Sequence, residues 1–357
     1  MRNLGNTNMK IKRVGFGGIP IQRITQDDTN LVINELEKQG INFIDSARGY
    51  TISEEAIGIA IEGKRDKFFL ATKSMSRDYD SMKRDVEISL NNFKTDFIDL
   101  YQFHNVKEEE YDNLFKDKMA YSALLEAKEQ GKIKHIGITS HNLNTIEKAI
   151  EDGKFDTIQF PYNIVEGQAD EVFKKAHEKG IGIIVMKPLA GGALDNATLA
   201  IKYILSKDYI DVVIPGMESV EQVRQNVAVL ENLVLDEKDN KEIEEIRNSL
   251  GKKFCRRCEY CMPCAVGINI PLSFLCEGYY TRYGLKEWAK EKYEVMDVKP
   301  TECIDCGLCE SRCPYELPIR EMLKTVVEKL GWILFIEIGV LNLLRFLFIR
   351  CGLIYKY

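Results

Sequence analysis

The stretch IKRVGFGGIP (11–20) chooses between two folds. A short apolar run enters a glycine turn, as the first strand of an open doubly wound sheet or of a closed parallel barrel would. A dinucleotide-binding open sheet carries G-x-G-x-x-G at this turn. Here Gly15 and Gly17 are followed by Pro20 where the third glycine belongs. The barrel is therefore expected.

Seven further apolar runs follow at barrel spacing: 41–47, 68–74, 97–105, 135–140, 157–163, 181–188 and 212–217. Between them lie amphipathic stretches, among them DDTNLVINELEKQG (27–40), SALLEAKEQG (122–131) and EVFKKAHEKG (171–180). Each closes on glycine, the residue preferred just past a helix end. Eight strand–helix units over about 220 residues suit a (β/α)8 barrel in count and size. The stretch 231–253 reads as a charged linking helix, and the cysteines begin directly after it.

The 357 residues suit one large barrel with something small attached, and 45% apolar with 29% charged residues exclude a disordered or collagen-like chain. A net charge of −6 argues against a partner held by its phosphate backbone, so no nucleic acid is expected. The polar start, residues 1–10, has no apolar segment of the secretory kind, and the expected compartment is a reducing cytoplasm.

In a parallel barrel, reactive side chains sit at the C-terminal ends of strands and on the loops that follow. Those positions hold Asp45, Tyr50, Lys73 and His104. Their chemistry is complementary. A phenol with a pKa of about 10 is a poor proton donor at neutral pH, and a neighbouring ammonium improves it. Asp45 would keep Lys73 charged, and His104 would orient a substrate oxygen that gains charge as hydride reaches its carbon.

The segments GFGGIPIQR (15–23), NFIDSARGY (42–50), LATKS (70–74), DLYQFHN (99–105), GITSHN (137–142), VMKPLAGGALD (185–195) and IPGMESVEQVRQN (214–226) resemble the aldo/keto reductase family. The resemblance implies a tetrad of Asp45, Tyr50, Lys73 and His104, with Tyr50 as general acid and a small carbonyl or alcohol as substrate. It also implies NADP or NAD lying across the barrel mouth. Thr139, Ser140 and Gln159 would hold the carboxamide end, and Pro188, Leu189 and Gly191 would flank the pyrophosphate. The segment Pro215 to Asn226, with Gly216, Met217, Ser219, Gln222 and Gln225, would take the adenosine. In the family, basic residues near Gly216 and Gln222 grip the 2′-phosphate of NADP; this chain has neither, which leaves NAD open, and Arg224 replaces them only if it points the right way. His141 is read as a polar loop residue or a further site group.

The run CIDCGLCESRCP places Cys303, Cys306, Cys309 and Cys313 at C-x2-C-x2-C-x3-C-P. In that ferredoxin spacing three thiolates hold one 4Fe–4S cluster and the fourth serves its neighbour. Zinc would favour two separated C-x2-C pairs. Upstream, CRRCEYCMPC supplies Cys255, Cys258, Cys261 and Cys264, with a shortened last gap and Ala265 in place of the proline. The expectation is one or two clusters. With two, one takes Cys255, Cys258, Cys261 and Cys313, the other Cys303, Cys306, Cys309 and Cys264. Cys276 and Cys351 fit neither run. The stretches 254–271, 278–289 and 317–323 resemble a subgroup of the same family with a C-terminal ferredoxin-like domain.

The expected fold is thus α/β: a (β/α)8 TIM barrel (1–235), a linking helix (236–253), a small α-rich ferredoxin-like iron–sulfur domain (254–328) and an apolar amphipathic C-terminal tail (329–357). Hydride moves two electrons at once and a cluster moves one, with no flavin motif to split the pair. The clusters then serve a docking redox partner, sense redox state, or brace a domain over the barrel mouth. The alternative to a carbonyl reductase is a redox-responsive binding module or an electron-transfer subunit. In the tail, 13 Ile, Leu, Phe or Val within 332–349 favour membrane insertion by about 6 kcal/mol, while Glu337, Arg345 and Asn342 oppose it by about 6 to 9 kcal/mol. A transmembrane span is not supported. Packing on the protein is expected, ahead of self-association or contact with a membrane surface.

Overall fold

The three glycines expected to end helices do so in the left-handed conformation, with φ of 67° at Gly40, 73° at Gly131 and 71° at Gly180. The helices they close are Gln26–Lys38, Ala120–Glu129 and Asp170–Glu178. The computed structural model describes residues 1–331 except 251, 252, 258, 259 and 314. The tail from 332, with Cys351, and Cys258 lie outside the described residues.

In chain order the strands are β1 (Arg2–Asn3), β2 (Lys10–Ile11), β3 (Phe16–Gly17), β4 (Phe43–Asp45), β5 (Phe69–Ser74), β6 (Ile98–Phe103), β7 (Ile133–Thr139), β8 (Thr157–Pro161), β9 (Gly182–Met186) and β10 (Val212–Val213). The helices of this region are α1 (Gln26–Lys38), α2 (Ser53–Ala60), α3 (Tyr79–Phe93), α4 (Glu108–Tyr111), α5 (Ala120–Glu129), α6 (Leu143–Asp152), α7 (Asp170–Glu178), α8 (Ala197–Leu205), α9 (Val220–Ala228) and α10 (Glu237–Leu250).

Strands β3 to β10 form one eight-stranded sheet in sequential order, every pair parallel. Parallel bridges Val14↔Val213 and Gly17↔Gly216 join its two edges. The barrel expected from the turn at 15–20 is therefore the fold found. All six residues of β6 are buried, as a strand faced by helices outside and core inside requires.

The antiparallel β1–β2 hairpin was not anticipated from the sequence. Leu4, Met9 and Ile11 pack in one buried cluster with Phe43, Ala71, Leu100, Ile184 and Val212 from the barrel interior. The Asn6 N–H donates to Gly180 O at 2.8 Å, just ahead of β9. Asp211 accepts from Arg2 Nε at 2.6 Å and from the backbone N–H groups of Gly5 and Ile183 at 3.1 and 3.0 Å. The hairpin therefore seals the N-terminal floor, and the mouth opens at the opposite end.

The chain divides into two compact units, 1–247 and 248–357, at the Arg247–Asn248 step within α10. The second unit is helical, with α11 (Ile270–Thr281), α12 (Lys286–Glu294), α13 (Leu308–Arg312) and α14 (Ile319–Val326). Asn269 caps α11 by accepting from the Leu272 N–H, with Pro271 in its first turn. Ile268, Phe274, Tyr293, Leu323 and Val326 form the buried core of this unit, and Cys255, Cys264, Cys303 and Cys313 pack against it. Among the described residues, no helix is long and apolar enough to cross a membrane.

Candidate functional site

Parallel strands deliver successive side chains to one end, and the register of β4 to β6 sets Asp45 beside Ala71 and Lys73 beside Gln102. Lys73 Nζ donates to Asp45 Oδ2 at 2.5 Å and to Ser46 O at 2.7 Å. Gln102 Nε2 donates to Asp45 Oδ1 at 3.0 Å. Lys73 is 1% exposed and Asp45 2%, so this ion pair is sequestered from water. Burial pulls the Lys73 pKa below that of an ordinary lysine, and the Asp45 charge opposes the fall.

Above the pair, the Tyr50 ring centroid lies 5.2 Å from Lys73 Nζ. His104, the residue after β6, meets that ring edge-on, centroids 5.9 Å apart and planes at 88°. The four residues expected to converge are thus brought together. The loop carrying Tyr50 is pinned by Arg48 N–H to Lys73 O at 3.0 Å and Tyr50 N–H to Ala47 O at 3.0 Å.

Two contributors escaped the sequence reading. Gln102 shares a strand face with His104 by the period-2 rule, which was the signal available for it. Glu54 in α2 is buried and accepts from Arg48 Nη1 at 2.9 Å, Thr72 Oγ1 at 2.6 Å, Ser89 Oγ at 2.8 Å and Asn92 Nδ2 at 3.0 Å. It ties the Tyr50 loop to β5 and α3, and no local motif announces such a hub.

Burial, with Lys73, Arg77 and Lys187 nearby, lowers the His104 pKa to about 3. The imidazole is neutral at physiological pH, and its buried Nδ1 has no hydrogen-bond partner. Because the folded pKa lies below the unfolded value, the unfolded chain binds the extra proton first. The His104 contribution to stability is complete above pH 6.5 and is lost as pH falls toward 3. Melting curves of the wild type against His104→Gln should converge as pH falls through this window; a constant gap would refute the assignment.

Thr139 and Gln159 are buried neighbours on β7 and β8. Thr139 Oγ1 accepts from the Asn105 N–H at 2.8 Å, and Ser140 Oγ donates to Val106 O at 2.7 Å. Gln159 Oε1 is buried without a hydrogen-bond partner. Pro188, Leu189 and Gly191 lie in the loop after β9, where Gly191 has φ 69° and Ala190 φ 48°. His141 Nδ1 is 2.7 Å from Asn105 Oδ1. Beyond β10, Pro215 and Gly216 lead into α9, whose first turn is capped by Ser219. Gln222 Oε1 accepts from the Glu218 N–H at 2.7 Å. Gln225 is exposed, while the side chains of Met217 and Asn226 are buried. Arg224 does not point to the basic role left open for it: its guanidinium forks onto Glu35 of α1 at 2.8 and 3.2 Å.

In the second unit, Cys264, Cys303, Cys306 and Cys309 line one cavity, walled by Val266, Ile270, Leu308 and Leu323. Gly307, at φ 75°, turns the chain between two of these cysteines. Cys264, Cys276, Cys303, Cys306, Cys309 and Cys313 are free thiols. Cys258 lies outside the described residues, and so does the completeness of the set with Cys255, Cys261 and Cys313. Among the described residues no three His, Cys, Asp or Glu side chains are gathered tightly enough for a single metal ion. Four thiols around a cavity suit a larger cluster, whose iron atoms separate the cysteines. Cys276 is fully buried and its pKa is pushed up to about 11, as an apolar packing residue requires.

Eight parallel strands thus gather an acid, an amine, a phenol and an imidazole at one end of a barrel. Residues 13–198 and 195–248 match the aldo/keto reductase family model, and the chain belongs to that family. Residues 254–318 match a 4Fe–4S dicluster domain. The chain is 27% identical to L-galactose dehydrogenase of Arabidopsis thaliana over 300 residues, covering 69% of this chain and 93% of that one. It is 25% identical to the NADH-specific methylglyoxal reductase of Escherichia coli, covering 69% of this chain and 98% of that one. The structure of aldo-keto reductase AKR11C1 from Bacillus halodurans is similar at a TM-score of 0.60 and 26% identity, covering 69% of this chain and 95% of that one.

Proposed function

We propose that this protein transfers hydride between a nicotinamide dinucleotide and a small carbonyl or alcohol, with Tyr50 as general acid and base. The observation that carries the proposal is the buried Asp45–Lys73 pair under the Tyr50 ring, with a neutral His104 across it. The ammonium favours the phenolate and so makes the phenol a better acid. Asp45, gripped by Gln102, keeps that ammonium charged and aimed. His104, uncharged, donates a hydrogen bond to the substrate oxygen and fixes it beside Tyr50.

The unpartnered Gln159 Oε1 beside Thr139 fits the amide of a nicotinamide carboxamide. The nicotinamide ring, when bound, would supply or accept the hydride. Pro188, Leu189 and Gly191 would flank the pyrophosphate, and the segment Pro215 to Asn226 would take the adenosine. The family membership and the name of the E. coli relative, NADH-specific methylglyoxal reductase, support a small reactive carbonyl as substrate class. A reducing, cytoplasmic setting goes with this reading, because thiolates that are to ligate iron must not be oxidised to disulfides.

The dicluster match supports two 4Fe–4S clusters, on Cys303, Cys306, Cys309 and Cys264 and on Cys255, Cys258, Cys261 and Cys313. Anaerobic purification should then yield about eight iron and eight sulfide per chain; about four would remove one cluster, and zinc alone would overturn the reading. The functional test is oxidation of NADH or NADPH with a panel of aldehydes and ketones. Tight dinucleotide binding without turnover of any of them would favour the second reading that the dicluster domain supports, an electron-transfer protein. Its mark is cluster bleaching by NAD(P)H only after a flavoprotein or ferredoxin is added.

A further inference from the structure

Resting on the proposed dinucleotide site, we propose that the Glu218 carboxylate makes this chain select NAD(H) over NADP(H). The two cofactors differ by one phosphate on the adenosine ribose, a group of about −1.5 to −2 charge at neutral pH. A site accepts it with arginine or lysine free to form charge-assisted, often bidentate, hydrogen bonds. A site that prefers the bare ribose offers a carboxylate to the 2′-hydroxyl.

The segment Pro215 to Asn226 carries three charged residues: Glu218, Glu221 and Arg224. Its single cation is committed elsewhere, since Arg224 forks onto Glu35, whose carboxyl it holds down to about 2. Arg23 Nε approaches the segment but donates to Glu218 Oε2 at 2.7 Å. With both partners included, three carboxylates stand against two guanidiniums, and each guanidinium is bound to a carboxylate. Gln222, on the first turn of α9, folds back onto the Glu218 N–H. That bond holds the residue carrying the carboxylate at the start of the helix.

Gly216 shows why a basic residue is not simply placed two positions earlier. A Cβ there would stand 2.8 Å from Pro20 Cγ, and the backbone is committed to the Gly17↔Gly216 bridge that closes the barrel. The barrel seam and the adenosine segment share a residue, so a cation cannot enter at 216 without moving Pro20. The charge that decides the cofactor is left to position 218, where the chain has glutamate.

The experiment is fluorescence titration of the anaerobically purified full-length holoprotein with NADH and with NADPH, for the wild type, Glu218→Arg and Glu218→Arg/Gln222→Arg. The wild type should bind NADH at least about tenfold more tightly, roughly 1.4 kcal/mol. Glu218→Arg should narrow that ratio, and the double variant should reverse it by tightening NADPH rather than by weakening NADH alone. Wild-type NADPH binding as tight as NADH, or a ratio unmoved in both variants, would overturn the proposal while sparing the dinucleotide site. Binding of neither cofactor would overturn both.

Discussion

Tyr50→Phe will lower turnover of any carbonyl substrate by roughly 10²- to 10⁴-fold, the usual share of a positioned general acid, and will leave dinucleotide affinity unchanged. Phenylalanine keeps the ring that lies 5.2 Å from the Lys73 ammonium and meets His104 edge-on. It removes only the hydroxyl, so packing at the mouth is preserved while the proton donor is lost. Steady-state kinetics with either nicotinamide, together with a binding titration, separates the two effects. Turnover within about tenfold of wild type would assign the proton to another group. Loss of cofactor binding would make the phenol a structural element.

Lys73→Met should cost both activity and stability. The side chain is 1% exposed, and its removal leaves the Asp45 carboxylate buried with Gln102 as its remaining side-chain partner. Breaking one half of a buried pair typically costs about 3–5 kcal/mol, because the surviving charge is uncompensated. For a barrel of this size that corresponds to a fall in Tm of roughly 10 °C. The double variant Asp45→Asn/Lys73→Met removes both charges and should recover most of the lost stability with no recovery of turnover. Equal melting temperatures for the single and double variants would mean that the pair carries no net charge separation in the folded protein.

The barrel was legible because each local signal agreed with the global one. Glycines 40, 131 and 180 stop helices in the left-handed conformation, which glycine adopts without the cost a Cβ brings. The apolar runs recur at strand–helix spacing, and Asp45, Lys73 and His104 lie at the C-terminal ends of successive strands, where a barrel gathers its chemistry. The first strand was read too long: of 11–18, only Phe16–Gly17 forms a strand of the barrel sheet, because Ile11 belongs to the floor hairpin and the chain must turn in from it. That hairpin was illegible for the same reason, since two-residue strands carry no periodicity. Glu54 and the direction of Arg224 were hidden differently. Each depends on partners 6 to 189 residues away in sequence, which no spacing rule reaches.

The Glu54 hub carries a consequence for how this enzyme would tolerate change. Ser89 and Asn92 belong to a helix on the outer ring, yet they share one carboxylate with the arginine two positions ahead of Tyr50. Drift on that outer helix is therefore coupled to the aim of the phenol. Neutral variation should be scarcer on the inward polar face of α3 than its distance from the mouth would suggest.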